Sequence, residues 1–308
     1  PIDIVEASVF HTWFCTYPYE KDRFMTTDQE QAKSWIEKIV RDFCSSSANS
    51  LENGTGEPAW DVPQFAYARG DDPLFSQLKH DIGEFYWTPE EAYKLAYPDE
   101  EIASSVLAVI CYILPQTKAT RVDQALETEF PAERWARSRF HGEDFNCALR
   151  LHLAEQLTQA GYPAVAPERL SGFDYRQSER FGIASNWSER HTAWVAGLGT
   201  FGLSDGLITR VGKAVRFGSV VVKMSLEATP RSYEGHQDWC LWYAKGSCGV
   251  CMKRCPAEAI TVDGHDKPKC FDYIRNVTTP YVRDHYGTGA TPCGLCQVKI
   301  PCEARSPL

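Results

Sequence analysis

CLWYAKGSCGVCMKRCPAEAI, residues 240–260, places four cysteines within sixteen positions and follows the last with a proline. Downstream lie Cys270, Cys293, Cys296 and Cys302, so eight of the twelve cysteines crowd the end of a 308-residue chain. The other four, Cys15, Cys44, Cys111 and Cys147, are scattered. A chain of this length can bury a core without covalent staples, so the crowding calls for a chemical reason. Scattered cysteines are expected to be small buried hydrophobes.

The spacing narrows the chemistry. Cys248-x2-Cys251-x3-Cys255-Pro256 matches the end of the bacterial iron–sulfur run, whose last cysteine serves the second cluster of a two-cluster protein. Three thiolates on a short arc reach one cube, and the fourth is carried past the proline toward its neighbour. Zinc would want paired Cys-x2-4-Cys knuckles closing one tetrahedron, and these spacings come close enough to keep zinc as an alternative. Disulfides are the third alternative. With two [4Fe–4S] clusters, the crossed pattern groups Cys240, Cys248, Cys251 and Cys302 in one set. Cys255, Cys270, Cys293 and Cys296 form the other.

Composition sets outer bounds. Hydrophobic residues make up 43% and charged residues 24%, a globular balance. IASSVLAVICYILP (102–115) is the longest apolar run. It is too short to span a bilayer and reads as a buried strand. No secretory leader is evident, and a cytoplasmic location is expected. The net charge of −9 and the lack of a basic run make nucleic acid an unlikely partner.

Periodicity supplies elements. DQEQAKSWIEKIVRDFC (28–44) predicts an amphipathic helix with Trp35, Ile36, Ile39, Val40 and Phe43 inward. Residues 45–58 predict a polar loop, and 59–89 an ordered but irregular segment. A helix is predicted over 142–161, with Leu149, Leu153 and Leu157 on one face and Gly161 ending it. Another starts at the Ser188 cap. Residues 206–226 predict a two-stranded hairpin. The composition shifts after Thr229-Pro230, which divides the chain into 1–100, 101–229 and 230–308.

SERHTAWVAGLGTFGLSDGLITRVGKAVRFGSVV (188–221) resembles the AGLG-centred segment of reductive dehalogenases and their relatives, the epoxyqueuosine reductases. GLIT, the AVRFGS arginine and GDDPLFSQLKHDIGEFYWTPEEA (70–92) place the likeness nearer the dehalogenases. The resemblance implies an α/β (α+β) nitroreductase-like cobalamin-binding core followed by a ferredoxin-like domain with two [4Fe–4S] clusters. It implies base-off cobalamin, and the Asp-x-His-x-x-Gly signature of histidine-ligated cobalamin is not found. Gly197, Leu198, Gly199, Gly202, Leu207 and Thr209 are the expected cofactor contacts, the glycines admitting a large ligand close to the backbone. Arg216, Tyr175 and Asn186 are the expected catalytic residues. The implied partners are a small-molecule substrate and a low-potential donor such as ferredoxin or flavodoxin.

Three departures qualify the resemblance. Seven residues separate Cys240 from Cys248, and five separate Cys296 from Cys302, which points to a remodelled ligand loop on the first cluster. Phe145 stands where a dehalogenase tyrosine would donate a proton, and FGIASNW (181–187) lacks the carboxylate of epoxyqueuosine reductases. Tyr175, Tyr162, His141 and His191 are the remaining proton donors, with an aromatic pocket expected from 59–89 and 173–194. The leading expectation is a cobalamin-dependent reductase that cleaves a carbon–heteroatom bond. The alternatives are epoxyqueuosine reduction in tRNA and a non-catalytic electron carrier or corrinoid-reducing partner.

Overall fold

The computed structural model describes residues 25–289 and 292–308. Cys15 lies outside them. Within them the fold is mixed α/β, a three-layer arrangement around a four-stranded antiparallel sheet of order β1 (Gln64–Arg69), β2 (Ala108–Pro115), β8 (Val215–Val222) and β3 (Ala164–Val165). The first helix, α1 (Met25–Cys44), carries the expected amphipathic pattern. Residues 59–89 are more regular than their sequence predicts. They hold β1 (Gln64–Arg69), which pairs along its whole length with β2, and α2 (Pro73–Ile82). Asp72 caps that helix by accepting from the Leu74 N–H, with Pro73 in its first turn, a start signal that the proline-rich context obscures. A capping box of Thr88 and Glu91 begins α3 (Pro89–Ala96).

The central strand β2 (Ala108–Pro115) is buried throughout, and its alternation builds both cores. Ala108, Ile110, Tyr112 and Leu114 face α1 and the long helix α5 (Glu133–Gln159), with Ile36, Val40, Leu149, Leu153 and Leu157. Val109, Cys111 and Ile113 face α2, α3 and α6, with Phe75, Leu78, Tyr93 and Val195. After the short α4 (Lys118–Leu126), α5 runs from Glu133 to Gln159 and begins nine residues before the predicted start. Gly142 is therefore inside a helix. Trp60 lies across it, where a Cβ would meet the indole at 2.8 Å, and Trp60 Nε1 donates to the Gly142 carbonyl at 2.9 Å.

Beyond α5 come β3 (Ala164–Val165), the hairpin β4 (Tyr175–Ser178) and β5 (Gly182–Ser185), and α6 (Glu189–Val195) with its Ser188 cap. The predicted hairpin over 206–226 does not form. Instead β6 (Gly199–Phe201) pairs with β7 (Leu207–Thr209), and β8 (Val215–Val222) enters the main sheet between β2 and β3. The run Val220-Val221-Val222, buried on both faces, marks an interior strand rather than a hairpin arm. Gly218 sits opposite Tyr112 in that sheet, and a Cβ there would overlap the phenol ring. Gly218→Ala is expected to lower stability by about 1–3 kcal/mol through overpacking, read as a drop in urea midpoint with an unchanged slope.

The C-terminal stretch is made of short elements, α7 (Leu241–Lys245), α8 (Val250–Lys253), the ladder β9 (Ile260–Thr261) with β10 (Gly264–His265), α9 (Lys267–Tyr273) and α10 (Thr279–Tyr286). A π turn at Ile274–Thr278 joins α9 to α10. The stretch is tied to the sheet layers by backbone acceptors. Gln124 donates to the Cys293 carbonyl at 2.7 Å, and Arg254 donates to the carbonyls of Glu127 and Leu295. No described helix is long and apolar enough to cross a membrane.

Candidate functional site

The cysteines gather in two abutting sets. Cys240, Cys248, Cys251 and Cys302 line one cavity together with Leu203, Ile208, Trp242 and Lys213. Cys255, Cys270, Cys293 and Cys296 are close enough for their sulfurs to act on one another electrostatically. Cys296 also bears on Cys251 and Lys213, so it stands at the joint between the sets. No described cysteine is in a disulfide. No three described Cys, His, Asp or Glu side chains converge as ligands of a single ion would. Thiolates round an iron–sulfur cube stand farther apart than zinc ligands, because the iron and sulfide atoms separate them.

Burial pushes Cys251 up to about 11, and Cys270 and Cys293 up to about 12. These thiols are neutral until a metal takes their protons. Two adjoining sets of four thiols, the first set round one cavity, fit two [4Fe–4S] clusters. Gly294, between Cys293 and Cys296, has φ +70° and presses on buried Trp135, where a Cβ would overlap the indole. Cys44 and Cys111 are core residues, as expected, while half-buried Cys147 accepts from Arg150 at 3.6 Å.

A second cavity, of about 160 Å³, opens beside Cys293 and Gly294. Trp60, Gln116, Trp135, Arg139, Arg216 and Ile274 complete most of its wall. Ile274 comes from the π turn, a distortion frequent at functional sites. Two buried polar atoms of this wall, Gln116 Oε1 and Trp135 Nε1, have no protein partner. An unpaired buried acceptor and donor cost roughly 1–3 kcal/mol each unless something binds them. With two guanidiniums, they suit a polar or anionic group.

A charged network stands behind this wall. Arg139, Glu143, Asn146 and Arg150 share one face of α5, spaced four, three and four residues apart. Glu143 is paired with Arg216, with Arg150 at 3.2 Å and, more loosely, with Arg139 at 3.8 Å. Burial opposes its charge, but these guanidiniums prevail and bring it down to about 2. Arg150 is 1% exposed and also meets Glu168 at 2.7 Å and Glu189 at 3.4 Å. Burial first, and then Glu168, push Glu189 above the ordinary carboxylate range despite Arg150. The sequence reading missed Glu143, Arg139, Arg150 and Glu189. The signal for the first three was present, since charges at helical spacing on an otherwise apolar face must pair inside.

Of the expected catalytic residues, only Arg216 lines this cavity. Tyr175 lies largely exposed on β4. Asn186 does not line the cavity. Its amide donates to the Gly172 carbonyl at 2.8 Å and accepts from the Asp174 N–H at 3.1 Å, so both ends brace a loop. Tyr162 packs near Trp35, and His141 against Phe140. His191 bonds the Ser188 hydroxyl at 2.7 Å, and burial, with Arg190 and Lys267, pulls it down to about 3, so it is neutral near pH 7. Phe145 packs against Phe43. The expected aromatic pocket is largely core, since Phe75, Tyr86 and Trp187 are buried there and Trp60 reaches the cavity.

The expected cobalamin contacts pack on the chain itself at their side-chain faces. A Cβ on Gly199 would overlap the Ile208 backbone, and one on Gly202 would meet Lys213 Nζ at 3.1 Å. One on Gly197 would meet the Thr229 carbonyl at 3.4 Å. Leu198 and Leu207 are core residues, and Thr209 donates to the Gly212 carbonyl at 2.7 Å. The chain itself fills the room these residues leave. The 160 Å³ cavity is below the range that drug-sized ligands occupy. No step is assigned to a corrin ring.

A scan against protein-family models finds no match. Among curated proteins, an epoxyqueuosine reductase of Lactococcus garvieae (strain Lg2) is 27% identical over 181 residues. The chain is similar to the epoxyqueuosine reductases. That relative bears out the superfamily read from the glycine and cysteine motifs, though it stands on the side the motifs had placed second. The match covers 57% of this chain and 46% of the relative, so the chain spans about half the length of the curated protein. Solved structures with some likeness come from both branches. An epoxyqueuosine reductase from Streptococcus thermophilus has a TM-score of 0.47 at 16% identity, over 90% of this chain and 68% of that one. A catabolic reductive dehalogenase with 3-bromo-4-hydroxybenzoic acid has 0.49 at 13%, over 90% and 37%.

Proposed function

We propose that this chain is an iron–sulfur reductase in which two [4Fe–4S] clusters feed electrons to a polar substrate group held beside Cys293. The observation that carries this reading is the cavity itself. It joins one cysteine set to two guanidiniums, an unpaired carbonyl oxygen and an unpaired indole N–H. When bound, the clusters would supply one-electron transfer. Arg139 and Arg216 would hold negative charge at the reacting group, and charge developing during reduction would strengthen that hold. Glu143 keeps Arg216 in place. Trp60 and Trp135 exclude water from the inner wall.

The cavity admits a group of a few heavy atoms, either a complete small molecule or the tip of a larger one. The curated relative favours epoxyqueuosine-type chemistry over dehalogenation, which reopens tRNA as a substrate despite the charge of −9. Anaerobic purification should yield a broad iron–sulfur absorption and about eight irons per chain. Zinc in place of iron would end this reading. Turnover with a chemical reductant should then be measured on modified tRNA stem loops and on small epoxides and aryl halides. Reduction of a member of either group identifies the substrate class, and a gel shift reports tRNA binding separately. If iron-loaded protein reduces none of them, the chain is an electron carrier.

A further inference from the structure

Lys213 is 3% exposed, and its side chain enters the cavity lined by Cys240, Cys248, Cys251 and Cys302. It reaches there over two glycines. A Cβ on Gly206 would meet its Cδ at 2.9 Å, and one on Gly202 its Nζ at 3.1 Å. Its backbone N–H donates to the Cys302 carbonyl at 2.8 Å, which fixes the lysine to the ligand loop. Its ammonium donates to Ser204 Oγ at 2.8 Å and has no carboxylate partner among the described residues. A buried ammonium without a carboxylate is expensive. The negative charge that can offset it here is that of the neighbouring sulfurs.

The geometry points to Lys213 as the residue that sets the reduction potential of the cluster at Cys240, Cys248, Cys251 and Cys302, holding it above the potential it would have with a neutral side chain. This rests on the two-cluster reading. Reduction adds one electron to the cluster and takes nothing else from the protein. The added negative charge is stabilised by a fixed positive charge in a low-dielectric wall, and the oxidised state is stabilised less. Cys248 is the exposed member of this set, so the effect falls on the cluster where electrons enter from outside. Lys213 would let a weaker donor fill it.

The test is a potentiometric titration followed by electron paramagnetic resonance on the full-length, iron-loaded protein. Lys213→Met keeps an unbranched chain in the glycine groove and removes the charge. It should retain about eight irons and shift one of two midpoints clearly downward, with a smaller shift of the other through Cys296. Ser204→Asp keeps Lys213 and pairs its ammonium in place, so it should lower the same midpoint. Two unchanged midpoints in iron-replete Lys213→Met overturn the proposal. If that variant loses iron, Ser204→Asp decides in the same way. Loss of a cluster from both makes Lys213 a prop for the loop, and also overturns it. Wild-type protein that takes up no iron fails the two-cluster reading instead.

Discussion

Cys302→Ala is expected to remove about four of about eight irons and to abolish reductive turnover, while the second cluster keeps its own signal. Loss of a thiolate ligand leaves one cube with three protein ligands and opens it to solvent. The sharper result comes from pairs. If Cys302 serves the same cluster as Cys248, the double variant should lose no more iron than either single variant. Cys302→Ala combined with Cys296→Ala should lose nearly all of it. The opposite pattern would reassign the ligands across the joint at Cys296. Turnover should vanish in every case, because the cavity beside Cys293 receives electrons only after they have crossed both sets. A variant retaining full activity with four irons would show that the Cys302 cluster is off the route.

How far the sequence carried this depends on which residues are asked. Cys-x2-Cys-x3-Cys-Pro and the four later cysteines were legible because thiolate spacing encodes geometry directly. The helices α1 and α5 and the strand β2 were legible from their apolar period. The β8 strand differs from the expected hairpin arm because Val215–Val222 is buried on both faces, and local sequence does not name the neighbours of an interior strand. The glycines of GLGTFG were read as making room for a ligand, but β7 and Lys213 occupy that room. A glycine announces close approach without saying what approaches. Cavity residues such as Gln116 and Trp135 carry no motif. They meet Cys293 only through the folding of α4 and α5 onto the C-terminal stretch, a contact between segments far apart in the chain.

The second large effect is expected at Arg150, which touches neither the cavity nor any of the eight C-terminal cysteines. Arg150→Met should destabilise the fold by about 3–5 kcal/mol, since removing one partner leaves buried charges uncompensated. Three carboxylates depend on it. Glu143 retains Arg216, but Glu168 and Glu189 would face each other with no described cation between them. The pH dependence separates this cause from lost packing. In the wild type Glu143 is lowered to about 2, so its contribution is complete above the ordinary carboxylate range and is lost as pH falls through about 2. Glu189 is raised, so it costs stability as pH rises from its unfolded value toward its folded one. Removing Arg150 moves both carboxyls upward. The folded variant then binds more protons than the folded wild type between mildly acidic and neutral pH, and its deficit must grow as pH rises. Urea melts at pH 5 and pH 8 measure this, and a deficit equal at both would place the loss in packing. Glu189→Gln in the Arg150→Met background should recover part of the stability at pH 8 and little at pH 5, because at the lower pH the carboxyl it replaces is already protonated.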